Sequence, residues 1–199
     1  MKKLVYSVIL VLVSVTLFCA CIKTEEDYVP KPKGYNRIDL PKAEYQNMTE
    51  NHPYKFEFSK YAKVLNDTNG LVEAHWIHIY YPAFNSAIEI TYKDLNDPKN
   101  KLSELTNIAH KLTAKHQIKA YSISQTPYMR SKDEKLAYLF NIDGEIPSPF
   151  QFYFTDSSKH FLRGAVYLPT STQNDSLAPV IEFLKNDVLH LVNTLEWKK

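Results

Sequence analysis

Across 199 residues the chain carries 24 Lys and Arg against 22 Asp and Glu with both signs interspersed, so it lacks the clustered positive charge that a nucleic-acid binder needs. Its two cysteines, Cys19 and Cys21, sit together near the start, which excludes a disulfide framework, and four glycines leave little for a phosphate-cradling loop.

The first predicted element is a secretory signal over residues 1–20. Lys2 and Lys3 form its charged start. Leu4 to Phe18 is an apolar run broken by Tyr6, Ser7, Ser14 and Thr16. It is too short for a membrane span, which takes roughly 20 apolar residues, and it fits the core of a signal followed by a small residue at the cut. Ala20 precedes Cys21, the arrangement a lipoprotein signal peptidase requires. Phe18 stands where Leu is usual. Cys19 would place bulky Phe18 at the cut, so Cys21 is the expected lipid attachment site, and the folded part is expected outside the cytoplasm. Lys2 and Lys3 leave with the signal, so the chain from Cys21 onward balances at 22 charges of each sign.

Residues 21–48 read as a lipid-anchored extended tether. Lys23 to Asp27 is charged, and Pro30, Pro32 and Pro41 favour polyproline II at about 3.1 Å per residue, enough to hold a domain some way from the membrane. Ile22 after the cysteine, in place of Asp, does not favour inner-membrane retention. Residues 49–199 read as a single domain, which at this length can bury a sizeable core.

From Tyr54 the pattern is strands with two helices. Trp76–Tyr81 and Ala87–Tyr92 are rich in β-branched and aromatic residues and are split by Pro82 to Ser86, which predicts a hairpin. Asp97-Pro98 is a helix start, and Leu102, Leu105, Ile108, Ala109 and Leu112 mark the face of that helix. Ile118–Ser124 and Leu136–Ile142 are strand-like, with Asp143-Gly144 as a turn. Phe150–Thr155 and His160–Leu168 predict a second hairpin. A last helix runs from Asp175 or Ser176 to Leu195, with Val180, Ile181, Leu184, Val188, Leu191, Val192 and Leu195 as its stripe. The sum is α+β, a largely antiparallel sheet packed by two helices. The order of elements resembles the PsbP/Mog1-like sandwich, a likeness of topology that does not give function.

Three stretches together carry a family resemblance: Pro30 to Pro41 (PKPKGYNRIDLP), Ser148 to Tyr167 (SPFQFYFTDSSKHFLRGAVY) and Asp175 to Trp197 (DSLAPVIEFLKNDVLHLVNTLEW). The chain resembles the gliding-motility lipoprotein GldD family of Bacteroidota. The resemblance implies a non-catalytic accessory or scaffold of the gliding motility and type IX secretion machinery, whose partners are other proteins of that machinery. The expected place is lipid-anchored in the cell envelope, at the outer membrane and on its periplasmic face rather than the cell surface. The resemblance brings no active site and no cofactor. Tyr35 and Arg37 lie in the first stretch, and Asp156 and Arg163 in the second; these four are the candidate interaction residues. The acidic run after Cys21 resembles the surface-export signal of some Bacteroidota lipoproteins, but a solvated linker accounts for it as well.

Chemistry-bearing residues are sparse. His75 and His78 are three apart, which on a strand turns them to opposite faces. His110 and His116 diverge around a helix. Neither pair predicts a metal site, and no HExxH, CxxC or GxSxG occurs. Thr155 to His160 offers a carboxylate, hydroxyls and an imidazole, but these residues between two aromatic strands are also what a hairpin turn uses. Asp175-Ser176-Leu177 fits an O-glycosylation pattern and equally a helix cap. The 14 Tyr, 10 Phe and 2 Trp are mostly expected in packing, and an exposed excess would favour a protein or glycan partner. A small-ligand or glycan binder is therefore the alternative function, and a hydrolase on Asp156, Ser158 and His160 a third.

Arg163 is the most informative charge. Alternation places Phe161, Arg163, Ala165 and Tyr167 on one face. A turn over Asp156–Lys159 would set Phe152 opposite Arg163, and a one-residue shift would substitute Gln151. A half-buried guanidinium needs a partner, and Asp39 or Glu145 is the expected carboxylate. Cys21→Ser should abolish lipidation and release a folded domain from membranes. Fractionation with lipid labelling checks this, and a labelled variant still sedimenting with membranes would contradict it.

Overall fold

The computed structural model describes Tyr6, Gly34 and residues 37–67, 73–130, 136–170 and 174–198. The chain divides into two units, Met1–Tyr35 and Asn36–Lys199. Cys21, Tyr35 and the signal apart from Tyr6 lie outside the described residues. No described helix is long and apolar enough to cross a membrane.

In the second unit the elements run β1 (Tyr45–Asn47), β2 (Tyr54–Lys55), β3 (Glu57–Ser59), β4 (Lys63–Asn66), β5 (Ile77–Tyr81), β6 (Ser86–Asp94), α1 (Leu102–Ala114), a 3-10 turn (Lys115–Ile118), β7 (Ala120–Met129), β8 (Leu136–Gly144), β9 (Phe150–Thr155), β10 (His160–Tyr167), α2 (Ala178–Thr194) and β11 (Glu196–Trp197). Seven strands form one antiparallel sheet in the order β4-β5-β6-β10-β9-β8-β7, and β1–β3 and β11–β2 make two small pairs.

The main core follows from period-2 strands meeting a 3.6-period helix. Ile77, Ile79 and Tyr81 of β5, Ile88, Ile90 and Tyr92 of β6, and Leu162 and Val166 of β10 are buried on one face. Against them α2 lays Val180, Leu184, Val188, Leu191 and Val192, with Leu195 just beyond its end. Gly164 lies opposite Phe152 in this face, and a Cβ there would clash with the Phe152 ring, so the strand takes a glycine where an aromatic crosses it. On the other face α1 builds a smaller cluster from Ala109, Phe140, Tyr153 and Phe161. The architecture is the expected α+β sheet with two helices.

Local hydrogen bonds move several predicted boundaries. Asp97 starts a turn, accepting the Lys99 amide at 2.9 Å, while the Asn100 side chain donates to the Asp94 carbonyl at 2.8 Å; α1 therefore begins only at Leu102. Asp143-Gly144 ends β8 and is not a turn. Gly144 adopts φ 141°, and a Cβ would meet the Lys119 carbonyl oxygen at 2.5 Å, so the glycine answers a close backbone approach. Ile118 closes the 3-10 turn and is 92% exposed, so β7 starts at Ala120. Asp175 and Ser176 lie in the turn before α2, whose N-cap is Leu177 with no side-chain cap and whose first turn holds Pro179.

The folded unit also starts earlier than residue 49. Ile38 packs against the core, Met48 is buried, and β1 pairs with β3. The cause is a carboxylate within the α2 stripe. Asp187 is 3% exposed and accepts hydroxyl hydrogen bonds from Tyr45 at 3.1 Å and Tyr81 at 2.9 Å. The Tyr45 ring stacks on His190 with centroids 3.5 Å apart. A stretch expected to be tether is thus pinned to the last helix.

Candidate interaction site

The α1 face of the sheet carries the polar side chains of β6 and β10. The β9–β10 hairpin sets their register. Asp156 Oδ1 accepts the amides of Ser158, Lys159 and His160 at 3.0, 2.8 and 2.9 Å, and Ser157 takes φ 63°. Gathering three amides draws His160 into the loop, so Thr155 and Phe161 close the hairpin. Arg163 therefore lies opposite Tyr153, one residue from the expected Phe152 and on the other side from Gln151. The face assignment stands: Phe161 and Arg163 point toward α1, while Leu162 and Val166 point toward α2.

Asp156 is thus the organiser of a turn. Burial pushes its carboxyl up, but the three amides outweigh this and hold it below the usual range. His160 Nδ1 is 2.7 Å from the Tyr92 hydroxyl, and Ser158 is exposed, so the bonds build a loop and do not align a base on a nucleophile.

Arg163 finds partners other than those expected. Its Nη2 donates to Gln151 Oε1 at 2.7 Å, and it shares a side-chain hydrogen bond with Tyr167. Gln151 Oε1 also accepts from Thr113 Oγ1 of α1 at 3.3 Å. Burial pushes the guanidinium down, opposed by Tyr167 and Glu89. Asp39 instead pairs with Arg37 at 2.8 Å on the surface, and Glu145 holds a buried oxygen with no hydrogen bond. The acidic neighbour of Arg163 is Glu89 of β6, itself pushed up by burial, with His78 and Arg163 opposing. Only the non-sequential pairing of β10 with β6 brings it there.

Beside Arg163 a cavity of about 540 Å³ opens between α1 and the sheet. Its floor holds Thr91, Phe161 and Arg163, and its wall Leu105, Ile108 and Leu112 of α1. Ile108 is half exposed. Lys93, Lys99 and Lys101 line the rim. The Lys93 ammonium lies 5.5 Å from the centre of the Trp76 ring and pairs with Glu73, while Lys101 pairs with Glu104 at 3.2 Å. The groove is mainly apolar inside, with Thr91 and Arg163 as the polar part of its floor, and it has a net cationic rim.

His75 and His78 diverge, as their spacing suggested, and take different partners. His78 meets Asp67 at 3.2 Å, whereas His75, at φ 71°, meets His52 with 3.2 Å between the Nδ1 atoms. The Tyr54 hydroxyl donates to the His75 carbonyl at 2.6 Å, and His160 stacks on Trp197 at 4.7 Å. This cluster joins residues far apart in sequence, and only the unusual run of His, Tyr and Trp could have hinted at it. Among the described residues no group of three or more His, Cys, Asp or Glu is placed to hold a metal ion.

A family model described as Gliding motility lipoprotein GldD matches residues 25–197. No curated protein matches the chain. The solution structure of cyanobacterial PsbP (CyanoP) from Synechocystis sp. PCC 6803 is similar at a TM-score of 0.48 and 10% identity, covering 82% of this chain and 98% of that one.

The His52 imidazole is pushed down by burial and by His75, with Glu50 opposing and Lys198 adding. A histidine depressed in the folded state favours protonation of the unfolded chain, so its contribution to stability is present above the ordinary value of about 6.5 and is lost as pH falls below it. Melting temperatures should therefore drop more between pH 7.5 and pH 5.5 in the native sequence than in His52→Gln. Parallel slopes would contradict the assignment.

Proposed function

The chain belongs to the gliding motility lipoprotein GldD family, and we propose that it acts as a non-catalytic scaffold of the gliding and type IX secretion machinery, holding another subunit in the groove beside α1. Membership makes it a lipid-anchored protein of the cell envelope. Within that setting we assign the lipid to Cys21 and the domain to the periplasmic face of the outer membrane.

The groove carries this reading. Soluble domains rarely leave Leu105, Ile108 and Leu112 of one helix beside an open, Phe161-floored cavity without something to cover them. The cationic rim selects the occupant. A partner segment with aliphatic side chains and acidic flanks would bury the first set and meet Lys93, Lys99 and Lys101 with the second. The aromatic load gives a glycan reading little support, because Tyr54, Tyr81, Phe152 and Phe154 are fully buried in packing. Asp156 and His160 are likewise engaged in holding the hairpin and the aromatic cluster.

Ile108→Asp combined with Lys101→Glu tests the proposal. Both side chains are at the surface, so melting should stay close to that of the native protein. Co-purification of the partner subunit from detergent-solubilised outer membranes should be lost, and native binding should weaken as salt rises. Leu65→Asp on β4 should leave it intact. A groove variant that recovers the partner in full would overturn the proposal.

A further inference from the structure

We infer that the free edge of β7 is a pairing surface for a second copy of this chain, joined antiparallel about Ser124. This goes beyond the groove, which lies on β6 and β10, three strands away in the sheet.

The two edges of the sheet are built differently. β4 is four residues long and carries Lys63, the short charged kind of edge that resists pairing. β7 is ten residues long, is bonded to β8 alone among the described residues, and has no charged side chain from Ala120 to Met129. Most of its side chains are exposed. Among the described residues of Asn36–Lys199, the three most exposed large hydrophobic side chains sit on or beside it: Ile118 at 92%, Tyr121 at 80% and Met129 at 66%. Ordinary surface scatter would not gather them on one edge.

Two interruptions define which part can pair. A register shift lies between Ala120 and Ser122, and Pro127 removes one amide donor. The clean run is 122–126, and its centre is Ser124. A two-fold axis there sets Ser122 of one copy opposite Thr126 of the other, and Ile123 opposite Gln125. These are hydroxyl and neutral pairs of the kind that favour cross-strand contact, and no like charges meet. Tyr121, at the register shift, and Pro127 then flank the paired run at its two ends. A charged partner strand would find nothing complementary on this edge, whereas the edge complements itself.

Cysteine cross-linking on the full chain in a Cys19→Ser, Cys21→Ser background, which leaves no native thiol, reads the pairing directly. Residues directly opposite in an antiparallel pair have Cα atoms about 4.5–5.5 Å apart, within disulfide reach. Ser124→Cys should give a disulfide-linked dimer on mild oxidation. Ser122→Cys and Thr126→Cys should cross-link to each other when mixed, and much less when oxidised separately. Asn66→Cys on β4 should stay monomeric. Absence of the Ser124 dimer, or equal cross-linking at Asn66, overturns the proposal. So does a photo-crosslinker at position 124 that captures a different protein in cells and no second copy, which would give the edge to a heterologous strand.

Discussion

A carboxylate placed inside the core is the constraint on which the rest of this domain turns. Desolvating Asp187 alone would cost several kcal/mol, so the fold supplies hydrogen-bond donors from strands on both sides of it. Tyr81 comes from β5 in the main sheet, and Tyr45 from β1. Burial still pushes the carboxyl up, with the Tyr81, Tyr45 and Ser59 hydroxyls opposing. The same helix adds His190, which stacks on Tyr45 and lies 2.8 Å from Glu57, and Thr194, which accepts the Glu57 amide at 3.0 Å. One polar row on α2 thus fastens the β1–β3 pair to a helix whose apolar row already fixes it to the sheet.

That fastening matters for a protein held by lipid. The point where the folded unit begins is cross-linked to its last helix, so the orientation of β1 is tied to the body of the sheet. The opposite face is packed more sparsely. Its core cluster is four residues around Ala109, and α1 stands beside β6 and β10 with a groove between. The two faces of the sheet thus differ: one is closed by α2 and its polar row, and the other keeps a groove beside α1. Arg163 belongs to the second face: Gln151 and Tyr167 fix its guanidinium, Thr113 links that bond to α1, and one side of the residue lines the groove.

Much of this was legible in the sequence, and the misses have physical causes. The first hairpin was marked by alternation, because Ile77 to Tyr81 buries every second residue. The second was marked by its aromatic run, because Phe150 to Thr155 is covered on both faces. The α2 stripe was equally plain. Asp187 was hidden inside it, since a stripe read by its apolar members passes over a charge whose donors lie 106 and 142 positions away. β1 has no hydrophobic period in Tyr-Gln-Asn and reads as tether until its partner is known. The one-residue error at Arg163 came from a loop whose length is set by a side chain gathering three amides, which spacing does not reveal. Its acidic neighbour was missed because β6 and β10 touch across about 70 positions. Of the three described candidate residues, Arg37 forms a surface pair with Asp39 and Asp156 a turn, which leaves Arg163 as the one that lines a groove.

The dependence of β1 on Asp187 is open to direct measurement by amide hydrogen exchange. Comparing the native chain with Asp187→Ala, protection should fall in Tyr45–Asn47 and Glu57–Ser59, while the paired amides of β9 and β10 retain theirs. Unchanged protection in β1 would show that the buried carboxylate does not hold the start of the domain, and would contradict this account.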